Sequence, residues 1–232
     1  MNKFNKCLQL LAILISVCNP AEAETLYVFY PSAMTAVSVQ KSLSEACPGI
    51  GIMVFGKFRD FQERLSKNMP DAILTKPAVI DHIGGYTVGL RGQREGSGEE
   101  HYVFLSVNKK IDLNSPSKKP VGIFDILGRK GMKTFVGKFL NPVPRLRRAT
   151  KMEDLVQLLI FDAVQGILIP EFYVDHYKKI SKLEFIVTPC PNMKTGILAL
   201  GVRQGKNATL TVKALTALDK GQMAVLEVEQ WR

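Results

Sequence analysis

From Leu26 onward the chain alternates short β-rich apolar runs with amphipathic stretches, each punctuated by proline or glycine. No other feature constrains the fold as tightly. The alternation predicts βα units around mainly parallel sheets, because a parallel neighbour is reached only by a crossover long enough to hold a helix. Leu26 to Tyr30 reads as a buried strand, broken by Pro31 and Ser32. Met34, Val37, Val39, Leu43 and Ala46 recur at roughly helical spacing until Pro48 and Gly49 stop the helix. Ile50 to Phe55 is a second strand, and Phe58, Phe61, Leu65 and Met69 mark a second helix. Asp71 to Thr75 is a third strand, and Pro77 to Ile83 a brief helix.

The pattern then changes. Tyr86 to Leu90 and Tyr102 to Val107 read as two strands around the polar, glycine-rich turn Arg94 to Gly98. Residues 108–120, with Asn114, Ser115, Pro116, Ser117 and a lysine pair, are expected to form a linker. A new start follows. Val121 to Ile126 reads as a strand, and Gly128 through Phe135, Val136 and Leu140 as a helix. Next come the basic strand Arg145 to Ala149 and a helix over Met152 to Gln165 with Leu155, Leu158, Leu159 and Ala163 on one face. Gly166 to Ile169 is a strand ended by Pro170, Phe172 to Ser181 a helix and Leu183 to Val187 a strand. Pro189 and Pro191 flank Cys190 in a second linker; Gly196 to Val202 is then a strand, with helix from Ala208 to Lys220 and on to Trp231. The expected organisation is a first lobe over 24–107, a crossing at 108–120, a second lobe over 121–187, a crossing at 188–195 and a return to the first lobe over 196–232.

The N-terminus addresses location. Lys3 and Lys6 precede an apolar run from Leu8 to Val17, and Ala21-Glu22-Ala23 supplies the small-residue pattern of a secretory signal cleaved after Ala23. A run of about 10 apolar residues is far short of the ~20 that span a bilayer. Cys18 raises a lipidation alternative, against which Val17 stands where a small residue is wanted. The expectation is a soluble periplasmic protein. Losing Lys3, Lys6 and Glu22 takes the net charge from +10 to +9 over the remaining 209 residues. That balance fits an anionic membrane surface, an anionic ligand or solvated lysines, while the location argues against nucleic acid. Cationic side chains cluster only at Arg129 to Lys133 and Arg145 to Arg148. Cys47 and Cys190 outlast the signal and form the one possible disulfide, the alternative being two unpaired thiols.

This order of elements resembles the type II periplasmic binding proteins, two-lobed receptors that close over a small solute. The likeness is architectural and spans the mature chain: an exported N-terminus, the opening Leu26-Tyr-Val-Phe-Tyr-Pro-Ser, the strand end Asp71-Ala-Ile-Leu-Thr, the strands around Tyr102 and the fresh start Val121-Gly-Ile-Phe-Asp-Ile-Leu-Gly-Arg. Neither the Gly-Phe-Asp run of amino-acid receptors nor the Ser/Thr-rich glycine loop of phosphonate receptors is intact, so subfamily and ligand stay open. The resemblance implies an interlobe cleft, with the crossings as hinge. Ligands of open α/β sheets sit beyond the carboxyl ends of strands, beside helix N-termini. Candidate contacts are Tyr30, Ser32, Thr35, Thr75 and Lys76 in the first lobe, Arg91 at the crossing, and Arg129, Lys130 and Glu171 in the second. Tyr30 offers a stacking face or a phenolic donor, the hydroxyls a helix start, and the arginines a fork for carboxylate or phosphate. The plainer alternatives are that Ser32 and Thr35 cap a helix and that Arg129 to Lys133 is a solvated turn.

His82, His101 and His176 are scattered, with no pairing at metal-ligand spacing, and neither a P-loop nor a Gly-x-Ser-x-Gly elbow is present. Asp71, Glu171 and Asp175 could face one another as acid and base, which spacing alone does not establish. The expected function is therefore binding without catalysis, metal or cofactor: a monomer that captures a small polar, anionic solute and presents it to an inner-membrane ABC permease. The alternatives are a ligand-sensing periplasmic partner of a histidine kinase or cyclic-dinucleotide enzyme, and a binding-fold scaffold with no ligand.

Overall fold

The computed structural model describes residues 23–112 and 119–232. The expected signal, apart from Ala23, and residues 113–118 of the expected linker lie outside them. In chain order the elements are β1 (Thr25–Phe29), α1 (Ala36–Ala46), β2 (Gly51–Val54), α2 (Phe58–Lys67), β3 (Ala72–Thr75), α3 (Pro77–Ile83), β4 (Tyr86–Gln93), β5 (Glu99–Ser106), β6 (Val121–Phe124) and α4 (Gly128–Gly137). There follow β7 (Leu146–Ala149), α5 (Met152–Ile160), β8 (Gly166–Pro170), a 3-10 turn (Glu171–Tyr173), α6 (Val174–Ile180), β9 (Ile186–Gly196), β10 (Ala199–Arg203), α7 (Thr209–Thr216), α8 (Lys220–Val225) and β11 (Gln230–Trp231).

These elements make two lobes. The first sheet runs β11-β4-β10-β3-β1-β2 and the second β7-β6-β8-β5-β9. β1 is parallel to β2 and β3, as β6 is to β7 and β8; the antiparallel members are β5 and β10, through which the chain enters a lobe, and the tail strand β11. Mainly parallel sheets need cover on both faces, and the near-continuous burial of β1, β3 and β8 reflects it. Local chemistry starts the helices where the sequence suggests: Thr35 accepts a hydrogen bond from the Ser38 amide at the head of α1, and Pro77 opens α3.

The crossings differ from the expectation. β5 hydrogen-bonds β8 and β9 in the second sheet, so the chain leaves the first lobe at 94–98, between β4 and β5. Residues 108–120 connect two strands of one sheet and are not a crossing. The return follows β9, which continues from Ile186 to Gly196 through both prolines. β9 is the edge of its sheet, where a residue without an N–H leaves no ladder bond unmade; Pro189 and Pro191 face solvent while Thr188 and Cys190 are buried. The link between the lobes is thus a two-stranded ribbon in which Glu99, Glu100 and His101 pair with Gly196, Thr195 and Lys194.

Three other expectations change. α5 stops at Ile160, with Asp162 at φ +50° ending the turn, so its buried face is Met152, Leu155, Val156 and Leu159. The tail after α8 is a short strand against β4. Cys47 and Cys190 are both buried and unbonded, because Cys47 packs under α1 in the first lobe and Cys190 lies in β9 of the second. Burial pushes both thiols up from their ordinary value.

The core does not respect the lobe boundary. One apolar cluster joins Phe29, Phe58, Phe61, Val79 and Ile80 of the first lobe to Phe104, Ile123, Ile126, Leu127 and Met132 of the second. The approach is close enough to demand glycine. A Cβ on Gly196 would lie 2.5 Å from the Pro77 ring, and one on Gly131 would lie 3.2 Å from the His82 ring.

Candidate functional site

At the centre of the interlobe face is a buried polar knot. Tyr30, at the end of β1, donates its phenol to the Val225 carbonyl at 2.6 Å. Lys76 follows β3 and forms an ion pair with Glu100 at the start of β5, both side chains at 6% exposure or less. The Thr195 hydroxyl lies 3.4 Å from the same carboxylate. Such a pair survives burial only because each charge neutralises the other, and losing one member leaves an uncompensated charge. Glu100 Oε2 and Thr75 Oγ1, both buried, meet no partner among the described residues.

A second set of contacts latches the lobes together. Tyr173, in the 3-10 turn of the second lobe, donates its hydroxyl to the Pro31 carbonyl at 2.8 Å and to the Glu227 carboxylate, both in the first lobe. Phe172, beside it, lies under the Arg94 guanidinium at 3.5 Å, a cation-π contact. Arg94 Nε also donates to the Glu227 carbonyl at 3.1 Å. Glu227 takes φ +57° just past α8, a left-handed position where glycine or asparagine is usual. Burial pushes its carboxyl up from the ordinary value, opposed by the Tyr173 hydrogen bond and the charges of Lys76 and Arg94. Burial, reinforced by Glu227, likewise raises the Tyr30 and Tyr173 phenols.

Beside the knot opens a cavity of about 580 Å³. Its lining comes from both lobes: Tyr30, Ser32 and Thr35 before α1, Lys57 and Asp60 at α2, and Phe124 and Lys151 to Asp154 at α5. Three helix N-termini converge here. Thr35 caps α1, but neither Lys57 at α2 nor Lys151 at α5 caps its helix through the side chain. The starts of both helices, one from each lobe, therefore border the cavity without a side-chain cap on their first-turn amides, with the positive ends of two helix dipoles behind them. Asp60, Glu153 and Asp154 supply acceptors for the cationic or hydroxylic parts of a guest.

Of the residues named from sequence, the structure brings Tyr30, Ser32 and Thr35 into this cavity and Thr75 and Lys76 into the knot behind it. Arg91 does not join them; it is exposed on β4 and pairs through its backbone with Arg232. Arg129 and Lys130 are exposed on α4, and Arg129 lines a different groove. Glu171 is exposed on the turn whose inward residue is Tyr173. Sequence reasoning missed Glu100, Tyr173, Glu227, Lys57 and Lys151. The helix-start lysines were recoverable from their places before Phe58 and Met152. Tyr173 and Glu227, fifty-four positions apart, carry no local signal of their meeting.

No family model matches the chain, and no curated protein matches it. Solved structures do. XAC2383 from Xanthomonas citri, bound to ATP, aligns over 90% of each chain at TM-score 0.57 and 11% identity. The GluR0 ligand-binding core in complex with L-glutamate aligns over 90% of this chain and 98% of its own at 0.55 and 12%. The BvgS periplasmic domain of B. pertussis aligns over 87% of this chain and 42% of its own at 0.54 and 10%. The chain has the type II periplasmic-binding-protein-like fold.

Proposed function

We propose that this chain is an exported binding protein that captures, without transforming it, a small polar ligand bearing an anionic group. The single observation that carries the reading is the cavity of about 580 Å³ between the lobes, where the uncapped N-termini of α2 and α5 face one space. Backbone amides, two helix dipoles, Lys57 and Lys151 attract the anionic end, and Asp60, Glu153 and Asp154 hold donors elsewhere on the ligand. The pattern suits a zwitterion or a hydroxy acid better than a bare anion. Location in the periplasm and delivery to an ABC permease belong to this reading.

A specific observation favours a second reading, a ligand sensor that acts on a membrane-bound partner protein. The apolar cluster shared by the lobes and the Tyr173 latch make wide opening costly, since each large side chain re-exposed costs about 1.5–3 kcal/mol. Such a body suits small changes read by a partner. Both readings are tested first by a thermal-shift screen of amino acids, hydroxy acids and dicarboxylates. A ligand at about 100 times its Kd adds about 2.7 kcal/mol, or roughly 5–11 °C in Tm for a domain of this size. The Lys57→Ala/Lys151→Ala variant is expected to lose that gain; a panel without effect, or a gain the variant keeps, ends the proposal.

A further inference from the structure

The two basic clusters of the sequence, Arg129 to Lys133 and Arg145 to Arg148, meet in space. Arg129 and Lys133 are one turn apart on the same face of α4, and Arg147 of β7 follows by two positions Arg145, the residue that leads into that strand. With Arg148 they line a groove of about 660 Å³ whose other walls are Pro120, Val143, Pro144 and Leu146. Among the described residues no acidic side chain lines it. Arg148 is held by Asp125, whereas among the described residues no carboxylate forms an ion pair with Arg129, Lys133 or Arg147. We propose that this groove, on the outer edge of the second lobe and apart from the interlobe cavity, binds a ligand that presents two or more phosphate groups.

Three considerations lead to phosphate. Gathering Arg129, Lys133 and Arg147 with no carboxylate ion-paired to them among the described residues is unfavourable unless an anion joins them, and a single carboxylate would leave most of that charge unneutralised. Guanidinium groups match phosphate oxygens in bidentate geometry, and Arg129 of α4 and Arg147 of β7 bring two of them to the groove from separate elements. The site is concave, with proline in two walls that stiffen its backbone, so the ordering left on binding is that of the side chains. The competing account is that charges on an edge strand prevent sheet-to-sheet aggregation, and β7 is such an edge. It explains arginines on β7. It does not explain why Arg129 and Lys133 of a separate helix turn into the same groove.

The test is titration calorimetry of the mature chain with inorganic tripolyphosphate at low ionic strength, where the Debye length is about 30 Å at 0.01 M. Wild type is expected to bind, and Arg129→Gln/Lys133→Gln/Arg147→Gln to bind at least thirty-fold more weakly. All three side chains are exposed, so the triple variant should keep the wild-type Tm; Arg147→Glu alone serves as a milder second probe, with a smaller loss. Absence of wild-type binding, or equal affinity in the triple variant, overturns the proposal. Sedimentation with phosphatidylglycerol vesicles separates the sources. Pelleting that tripolyphosphate reverses identifies a lipid headgroup, and no pelleting beside tripolyphosphate binding identifies a soluble phosphate compound. Because Lys57 and Lys151 are untouched, failure here leaves the cavity reading standing.

Discussion

Replacing Tyr173 by phenylalanine removes one oxygen from the interlobe face and keeps the ring that fills it. That oxygen donates to the Pro31 carbonyl at 2.8 Å and to the Glu227 carboxylate, in a residue that is 2% exposed. A neutral buried hydrogen bond contributes about 1 kcal/mol and one to a charged group about 1.5–3 kcal/mol. The single proton is shared between two acceptors, so the larger figure is the better guide. The carboxylate left behind is half-buried and loses its Tyr173 donor, while Lys76 and Arg94 still offset part of its charge. The expected loss is about 3 kcal/mol, or roughly 6–12 °C in Tm. Trp231, the one tryptophan, reports on the first lobe, and circular dichroism reports on the whole chain, so both probes should move together. A cycle with Glu227→Gln isolates the pair: in that background the Tyr173→Phe loss should shrink by about 1–2 kcal/mol. A Tyr173→Phe variant that melts within 1 °C of wild type, or a cycle that closes to zero, would refute the latch.

Two further outcomes follow from the buried knot and from the latch beside it. Lys76→Met strands the Glu100 charge and should lower stability by about 3–5 kcal/mol in urea denaturation, whereas Lys76→Met/Glu100→Leu should recover most of it; a double variant no better than the single one would show that the pair acts through packing alone. The folded-state pKa of Glu227 is raised above its ordinary 4.5, so the folded chain binds this proton more tightly than the unfolded one. Its contribution to stability is fully present below 4.5 and is lost as pH rises through the raised value. Stability of Glu227→Gln relative to wild type should therefore climb as pH increases from 4.5, and a flat difference would contradict the burial that raises the group.

Much of the local architecture is legible in the residue pattern. The strands of the first lobe through Thr75, the helices beginning near Phe58, Pro77 and Gly128, and the restart at Val121 all follow from apolar periodicity and from prolines and glycines that end a run. The resemblance built on that order anticipated the fold. What periodicity does not encode is which strand pairs with which. Tyr86 to Ser106 reads equally well as a hairpin of one lobe or as a passage between two, and only hydrogen bonding of β5 to β8 and β9 decides it. The prolines around Cys190 look like a linker until the strand that holds them proves to be an edge.

The same division holds for the chemistry. Tyr30, Ser32, Thr35, Thr75 and Lys76 were accessible because each lies at the carboxyl end of a strand or in the segment that leads from it into the next helix, and that end of a parallel strand is a place that connectivity alone fixes. Glu100, Tyr173 and Glu227 were not, since their partners are 24, 142 and 54 positions away and meet only when one lobe closes on the other. Arg129 and Arg147 belong to separate sequence clusters that the crossover from β6 to β7 folds into one groove. Local sequence sets which segments are strand or helix because backbone preference and one-sided burial act within a few residues. Sites built from side chains of distant segments depend on how the sheets are ordered, and that is settled by the packing of the whole chain.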